Sequence, residues 1–170
     1  MTVLPDVLAP GLRVVFCGTQ AGRVSALRGA YYAGPGNKFW KALYATGLTP
    51  EPLAPDDFLV LPRHGIGLTD VAKTTSGPDA ALRPAHFDVE SFMSKIRAHA
   101  PAVVAFNGKR AASAVLGRLG QSLSYGRQPG RVAGALAYVL PSTSGAASGF
   151  WSAAPWQQLA DDLRAGEQLA

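Results

Sequence analysis

Short apolar runs separated by polar and glycine-rich stretches set the frame of this chain. Leu12-Arg-Val-Val-Phe-Cys17 is rich in β-branched and aromatic side chains and stops at Gly18. A run of this length without steady polar alternation fits a strand covered on both faces, as in a parallel sheet. Ala102-Val-Val-Ala-Phe106 and Leu136-Ala-Tyr-Val-Leu140 repeat the pattern, and Gly65-Ile-Gly-Leu-Thr-Asp70 is a short extended segment with a polar end.

Helical spacing fills the intervals. Asn37 is expected to cap a helix through about Thr46 that turns Phe39, Trp40 and Leu43 inward. Asp88 is expected to cap a second, to about His99, with Phe92 and Ile96 inward and Pro101 ending it. Gly108 to Leu116 reads as a third, and a last one from about Pro155 to Arg164 packs Trp156, Leu159 and Leu163. Pro50, Pro52 and Pro55 break the chain, and Pro55-Asp56-Asp57 opens a short helix. The glycine-rich stretch from Gly18 to Gly36 reads mostly as loop, and Val71 to Phe87 as irregular.

Strands alternating with helices imply an α/β fold: a three-layer α/β/α sandwich around a short, mostly parallel central sheet. With no repeat and no dividing linker, residues 1–170 read as a single domain. Ligands of such sheets bind beyond the carboxyl ends of the strands. The loops Gly18–Gly36, Thr69-Asp70 and Pro141–Gly149 should therefore converge on one site.

Composition narrows the choices. With 48% hydrophobic and 16% charged residues among 170, the chain can bury a sizeable core. No apolar run approaches the ~20 residues of a membrane span, and Met1 to Pro10 lacks the basic start of a secretory signal. The one cysteine, Cys17, rules out an internal disulfide, and the three histidines, His64, His86 and His99, are scattered. A metal site is not expected, and the set suits a reducing cytoplasm. A net charge of +5 favours a polyanionic partner, although a modest positive excess is ordinary in soluble proteins.

Three segments can carry chemistry. Gly18-Thr-Gln-Ala-Gly22 leaves the first strand as a tight loop whose N–H groups could hold an anion or a base edge, or form a plain turn. It is no P-loop, because the Gly-Lys-Ser/Thr ending is missing. In Tyr31-Tyr-Ala-Gly-Pro-Gly-Asn-Lys-Phe-Trp40, a flat aromatic such as Tyr32 can stack on a base and Asn37 can hold its polar edge, while Phe39 and Trp40 belong to packing. Pro141-Ser-Thr-Ser-Gly-Ala-Ala-Ser148 offers small hydroxyl side chains that can grip phosphates or a groove edge.

Taken in order, Leu8-Ala-Pro-Gly-Leu-Arg-Val-Val-Phe-Cys-Gly18, the loop to Gly22, Pro35-Gly-Asn-Lys-Phe-Trp40, Gly65-Ile-Gly-Leu-Thr69 and Val139-Leu-Pro-Ser-Thr-Ser-Gly145 resemble the mismatch-specific uracil-DNA glycosylase and thymine-DNA glycosylase family, from about Leu8 to Trp156. Nothing in the sequence suggests a dimer seam, so a monomer is expected, and the resemblance implies that it acts in base excision repair on double-stranded DNA carrying a mismatched or damaged base. It would flip the base out and hydrolyse its N-glycosidic bond, without cofactor or metal, with uracil opposite guanine as the expected substrate. Thr19 and the loop backbone would contact the base, Tyr32 would stack on it, and Ser25 would limit bulk at the pyrimidine 5-position. Ser142, Thr143, Ser144, Gly145 and Ala146 would enter the minor groove, with Ala146 and Ala147 standing where a bulkier wedge is frequent.

The departure is Gln20, where the family usually has the asparagine that holds the attacking water. Gln20 could still position water, line the pocket only, or leave the task to another residue. Asp70, at the carboxyl end of an expected strand, is the preferred substitute as a carboxylate that orients water or stabilises the cationic sugar. Its plainer reading is an N-cap for a helix from Val71 onward. Asp88 is a weaker candidate, since capping explains it. Lys38, Lys73 and Lys109 match no motif for an amine nucleophile, so a monofunctional hydrolase is expected. The alternatives are a protein that binds mispairs without cutting, and a glycosylase for another deaminated or alkylated base.

Overall fold

The computed structural model describes residues 1–169, with side-chain surroundings for 1–166. Five strands form one sheet: β1 (Val14–Gly18), β2 (Ile66–Asp70), β3 (Val103–Asn107), β4 (Gly126–Val132) and β5 (Ala135–Leu140). Their spatial order is β2-β1-β3-β5-β4. The first four in that order run parallel, and β4 closes one edge antiparallel to β5.

The apolar runs are continuous because side chains alternate between two cores. Val14 and Phe16 of β1 point into one, with Phe39 and Leu43 of α2 (Phe39–Ala45) and Trp156 and Leu159 of α5 (Ala154–Leu169). Val15 and Cys17 point into the other, with Phe92 and Ile96 of α3 (Val89–His99) and Ala111 and Ala112 of α4 (Lys109–Leu116). This is the expected three-layer sandwich. Phe16 lies between Phe39, edge-on at 5.3 Å, and Trp156, stacked at 5.4 Å. Cys17 is wholly buried, and burial pushes its thiol well above the ordinary range, so it is a packing residue and no nucleophile.

Asp88 caps α3 as expected, its carboxylate accepting from the Ser91 N–H at 3.0 Å. Three local readings need correction. A helix, α1 (Arg23–Arg28), interrupts the stretch expected to be mostly loop, ending at Gly29 in the left-handed region. It is only six residues long and buries little beyond Ser25, so surrounding glycines hid its period. Asn37 stands one residue ahead of the α2 N-cap, Lys38, and its side-chain oxygen accepts from the Phe39 N–H at 3.0 Å. β4 was not legible: Gly126-Arg-Gln-Pro-Gly-Arg-Val132 buries only Gln128 and Val132, and Pro129 is tolerated because the strand is an edge.

Register sets where the site falls. Gly18 pairs with Asp70, Cys17 with Phe106, and Asn107 with Leu140, so the parallel strands end side by side.

Candidate active site

At that edge a cavity of about 680 Å³ opens, and all three expected loops line it. Every candidate site residue reaches it: Thr19, Gln20, Ser25, Tyr32, Asn37 and Asp70 on one side, Ser142, Thr143, Ser144, Gly145 and Ala146 on the other. Asp88 does not, and its carboxylate is spent on the α3 cap.

Asp70 ends β2 as a carboxyl group that is 6% exposed and makes no hydrogen bond or ion pair among the described residues. No helix starts at Val71, which removes the capping explanation. Instead Val71 N–H bonds to Gly18 O and Ala72 N–H to Thr19 O, tying the chain after Asp70 to the first loop. Burial raises the Asp70 pKa to about 6, partly opposed by the charge of Lys73 and reinforced by Asp6 and Asp79. A carboxylate that titrates near neutrality in a cleft is suited to proton transfer.

Gly18 lets that carboxylate approach. A Cβ there would lie 2.6 Å from Asp70 Oδ1 and 3.2 Å from the Tyr32 hydroxyl, so both atoms converge on one point above the strand end. Tyr32 holds a left-handed backbone, φ 54°, uncommon for a bulky residue and placed at the site. One ring face stacks on Phe39 at 4.1 Å, while its buried hydroxyl lies beside the Asn107 side chain without a hydrogen bond of ordinary geometry. Burial, then the charge of Asp70, holds that phenol well above its ordinary pKa against the opposing pull of the Asn107 side chain, so it is a neutral donor.

Gln20 has other work. Its Nε2 donates to Gly77 O at 2.9 Å and Pro78 O at 3.1 Å, and its Oε1 is buried without a partner. Thr19 Oγ1 donates to Asp79 Oδ1 at 2.7 Å, and Gly77 N–H bonds to Ala21 O. The first loop is thus strapped to Gly77–Asp79, in a stretch whose sequence pattern is irregular. Ser25 Oγ accepts from Ala33 N–H at 2.9 Å, holding the turn before the Tyr32 loop's glycines.

Asn107 was missed. It ends β3, one residue past the apolar run, and clasps Thr143 twice: its Nδ2 donates to Thr143 Oγ1 at 2.9 Å and its Oδ1 accepts from Thr143 N–H at 3.0 Å. A polar residue at the carboxyl end of a buried run was the available signal. Thr143 O in turn accepts from Lys38 N–H at 2.9 Å, and a Cβ on Gly145 would stand 3.4 Å from Pro35 O, so the two loops meet backbone to backbone. The small residues of the second loop are needed for that approach.

Over residues 5–164 the sequence matches the uracil DNA glycosylase superfamily. The chain belongs to that superfamily. Its fold is shared with the solution NMR structure of a candidate uracil DNA glycosylase from Methanosarcina acetivorans, at 23% identity over 95% of this chain and 96% of that one, with a TM-score of 0.68. Membership in the superfamily gives the reaction class, DNA N-glycosylase. No helix among the described residues is long and apolar enough to cross a membrane, and no cluster of three metal-ligating side chains occurs among them.

Asn107→Ala is expected to lower the urea midpoint by the equivalent of about 1–3 kcal/mol, because it leaves the buried Thr143 N–H and hydroxyl unpaired. The same variant should bind duplex DNA several-fold more weakly, read by fluorescence anisotropy, since the second loop loses its anchor. Unchanged stability and binding together would show that Thr143 is held by other contacts.

Proposed function

We propose that this protein is a monofunctional glycosylase of the mismatch-specific type, that it removes uracil from G·U pairs in duplex DNA during base excision repair, and that Asp70 is its general base. The observation that carries this reading is the buried, unpartnered carboxyl of Asp70, aimed with the Tyr32 hydroxyl into a cavity built from both family loops.

In the reaction, the ionised Asp70 takes a proton from water as the water oxygen bonds to the sugar C1′. The N-glycosidic bond breaks, and its electron pair leaves with the base as an anion. The loop backbone around Thr19, whose own hydroxyl is spent on Asp79, and the Asn37 amide hold the base edge, where N–H donors stabilise the departing charge. Tyr32 contributes its hydroxyl and a ring already fixed on Phe39. Ser25 bounds the pocket, and the Ser142–Ala146 loop seats the opened duplex. Arg23, Lys109 and Arg110 at the cavity rim supply charge for the phosphates. The protein acts as a monomer, in a cytoplasmic compartment where it reaches the nucleoid, and requires no cofactor.

The test is single-turnover base release from a labelled G·U duplex across pH 5–9, with alkali cleavage of the abasic strand. Because the active form is the carboxylate and its pKa is raised to about 6, the rate should rise through pH 6 and level off above it. A matched A·T duplex should release nothing. Tight binding to the G·U duplex with no release would favour a non-cutting reader of mispairs, and release of another base alone would reassign the substrate.

A further inference from the structure

We propose that Lys73 is a positioning residue of this site: its buried ammonium, set with Asp6 and Lys95 behind the end of β2, holds the Asp70 carboxyl in the ionised form that accepts a proton from water. This rests on the reading of Asp70 as the base.

The cluster is built across three parts of the chain. Lys73 Nζ lies 3.0 Å from Asp6 Oδ1, donates to the Tyr31 hydroxyl at 3.0 Å, and is covered by the Tyr31 ring at 5.5 Å. The lysine side chain is 9% exposed, which is rare for this residue and marks it as held in place. Lys95 Nζ, from α3, takes the other oxygen of Asp6 at 2.8 Å, and Thr69 Oγ1 donates to Asp6 Oδ1 at 2.7 Å. Asp6 comes from the N-terminal segment, which is pinned beside β2 by the Val7–Leu68 pairing and by Val3 N–H bonding to Lys73 O.

Charge decides the role. Two ammonium groups share one carboxylate, leaving one positive charge in excess in a partly buried cluster. Thr69, which holds Asp6, is followed directly by Asp70, whose own carboxyl has no partner among the described residues. With Asp70 ionised the four groups sum to zero; with it protonated they do not. The other groups that act on Asp70 do not supply this charge. Asp6 and Asp79 are anions that oppose its ionisation, and Cys17, Tyr31 and Tyr32 are kept neutral by burial. Lys73 is not among the residues lining the cavity, and its charge reaches the site through Asp70.

The experiment is the G·U single-turnover pH profile of Lys73→Met, Lys73→Arg and Asp6→Asn, beside Asp70→Asn and the parent. Lys73→Met should move the acid limb up by about one pH unit, with the plateau rate near pH 9 kept within about twofold. Lys73→Arg should keep the limb near its original place. Asp6→Asn removes an opposing anion and should move the limb down, a shift of the other sign that also serves if the methionine variant does not fold. Equal loss at every pH in Lys73→Met, or limbs moving the same way in Lys73→Met and Asp6→Asn, overturns the assignment and leaves Lys73 a packing residue. Should Asp70→Asn itself retain the limb, the base assignment fails instead, and the two failures are separable within one series.

Discussion

Asp70→Asn is expected to slow single-turnover uracil release from a G·U duplex by about 10²- to 10⁴-fold, while affinity for that duplex changes by no more than a few-fold. The substitution keeps the shape of the side chain and deletes only its ability to accept a proton. It should also stabilise the fold at pH 8. Asp70 titrates at about 6 in the folded protein against 3.8 for the free group, so its ionisation opposes folding. That penalty is absent below about pH 4, grows between 4 and 6, and is complete above 6, at roughly 2–3 kcal/mol. Melting curves should therefore place the variant above the parent at pH 8 and level with it at pH 4. A structural carboxylate would behave the opposite way, losing stability when replaced. Gln20→Ala in the same series should cost less than about tenfold in rate, because its Nε2 is committed to Gly77 and Pro78 and its Oε1, though unpartnered, is a neutral acceptor that cannot take the proton as Asp70 can. A larger loss in Gln20→Ala than in Asp70→Asn would transfer the water-holding role to Gln20.

The frame of the molecule was legible because the buried strands state their environment in sequence. Val14–Cys17 and Val103–Phe106 are apolar at every position since both faces of the sheet are covered, and the loops that follow them had to converge. Thr19, Gln20, Asp70 and Ser142 were legible for the same reason, lying at or within two residues of the strand ends. What stayed hidden depends on partners far away in the chain. Gln128 and Val132 are the only buried positions in β4, too few to show a period. Asn107 acquires meaning only when Thr143 is brought against it, and Lys73 only when Asp6, 67 positions earlier, folds back beside β2. The competition between Gln20 and Asp70 could not be settled by residue type, since both can hold a water. The hydrogen bonds of Gln20 and the solitude of Asp70 are tertiary facts.

Gly18→Ala is the sharper probe of that solitude, and it should reduce base release by about 10- to 100-fold with only a small loss of stability. The backbone at Gly18 belongs to β1 and pairs with Asp70, so alanine is conformationally acceptable there. The new methyl would stand 2.6 Å from Asp70 Oδ1 and 3.2 Å from the Tyr32 hydroxyl, and the first distance cannot persist. Asp70 Oδ1 is the end of a side chain, so relief comes from turning the carboxylate rather than from opening the sheet. A displacement of about 1 Å in a catalytic group can cost about 100-fold. If the methyl acts by moving Asp70, its effect must shrink in an Asp70→Asn background, because the group it displaces no longer accepts a proton. The two substitutions should then be strongly non-additive in a double-mutant cycle of release rates. Full additivity would mean that the methyl obstructs the base itself, placing the flipped nucleotide over Gly18 and Tyr32 and leaving Asp70 untouched.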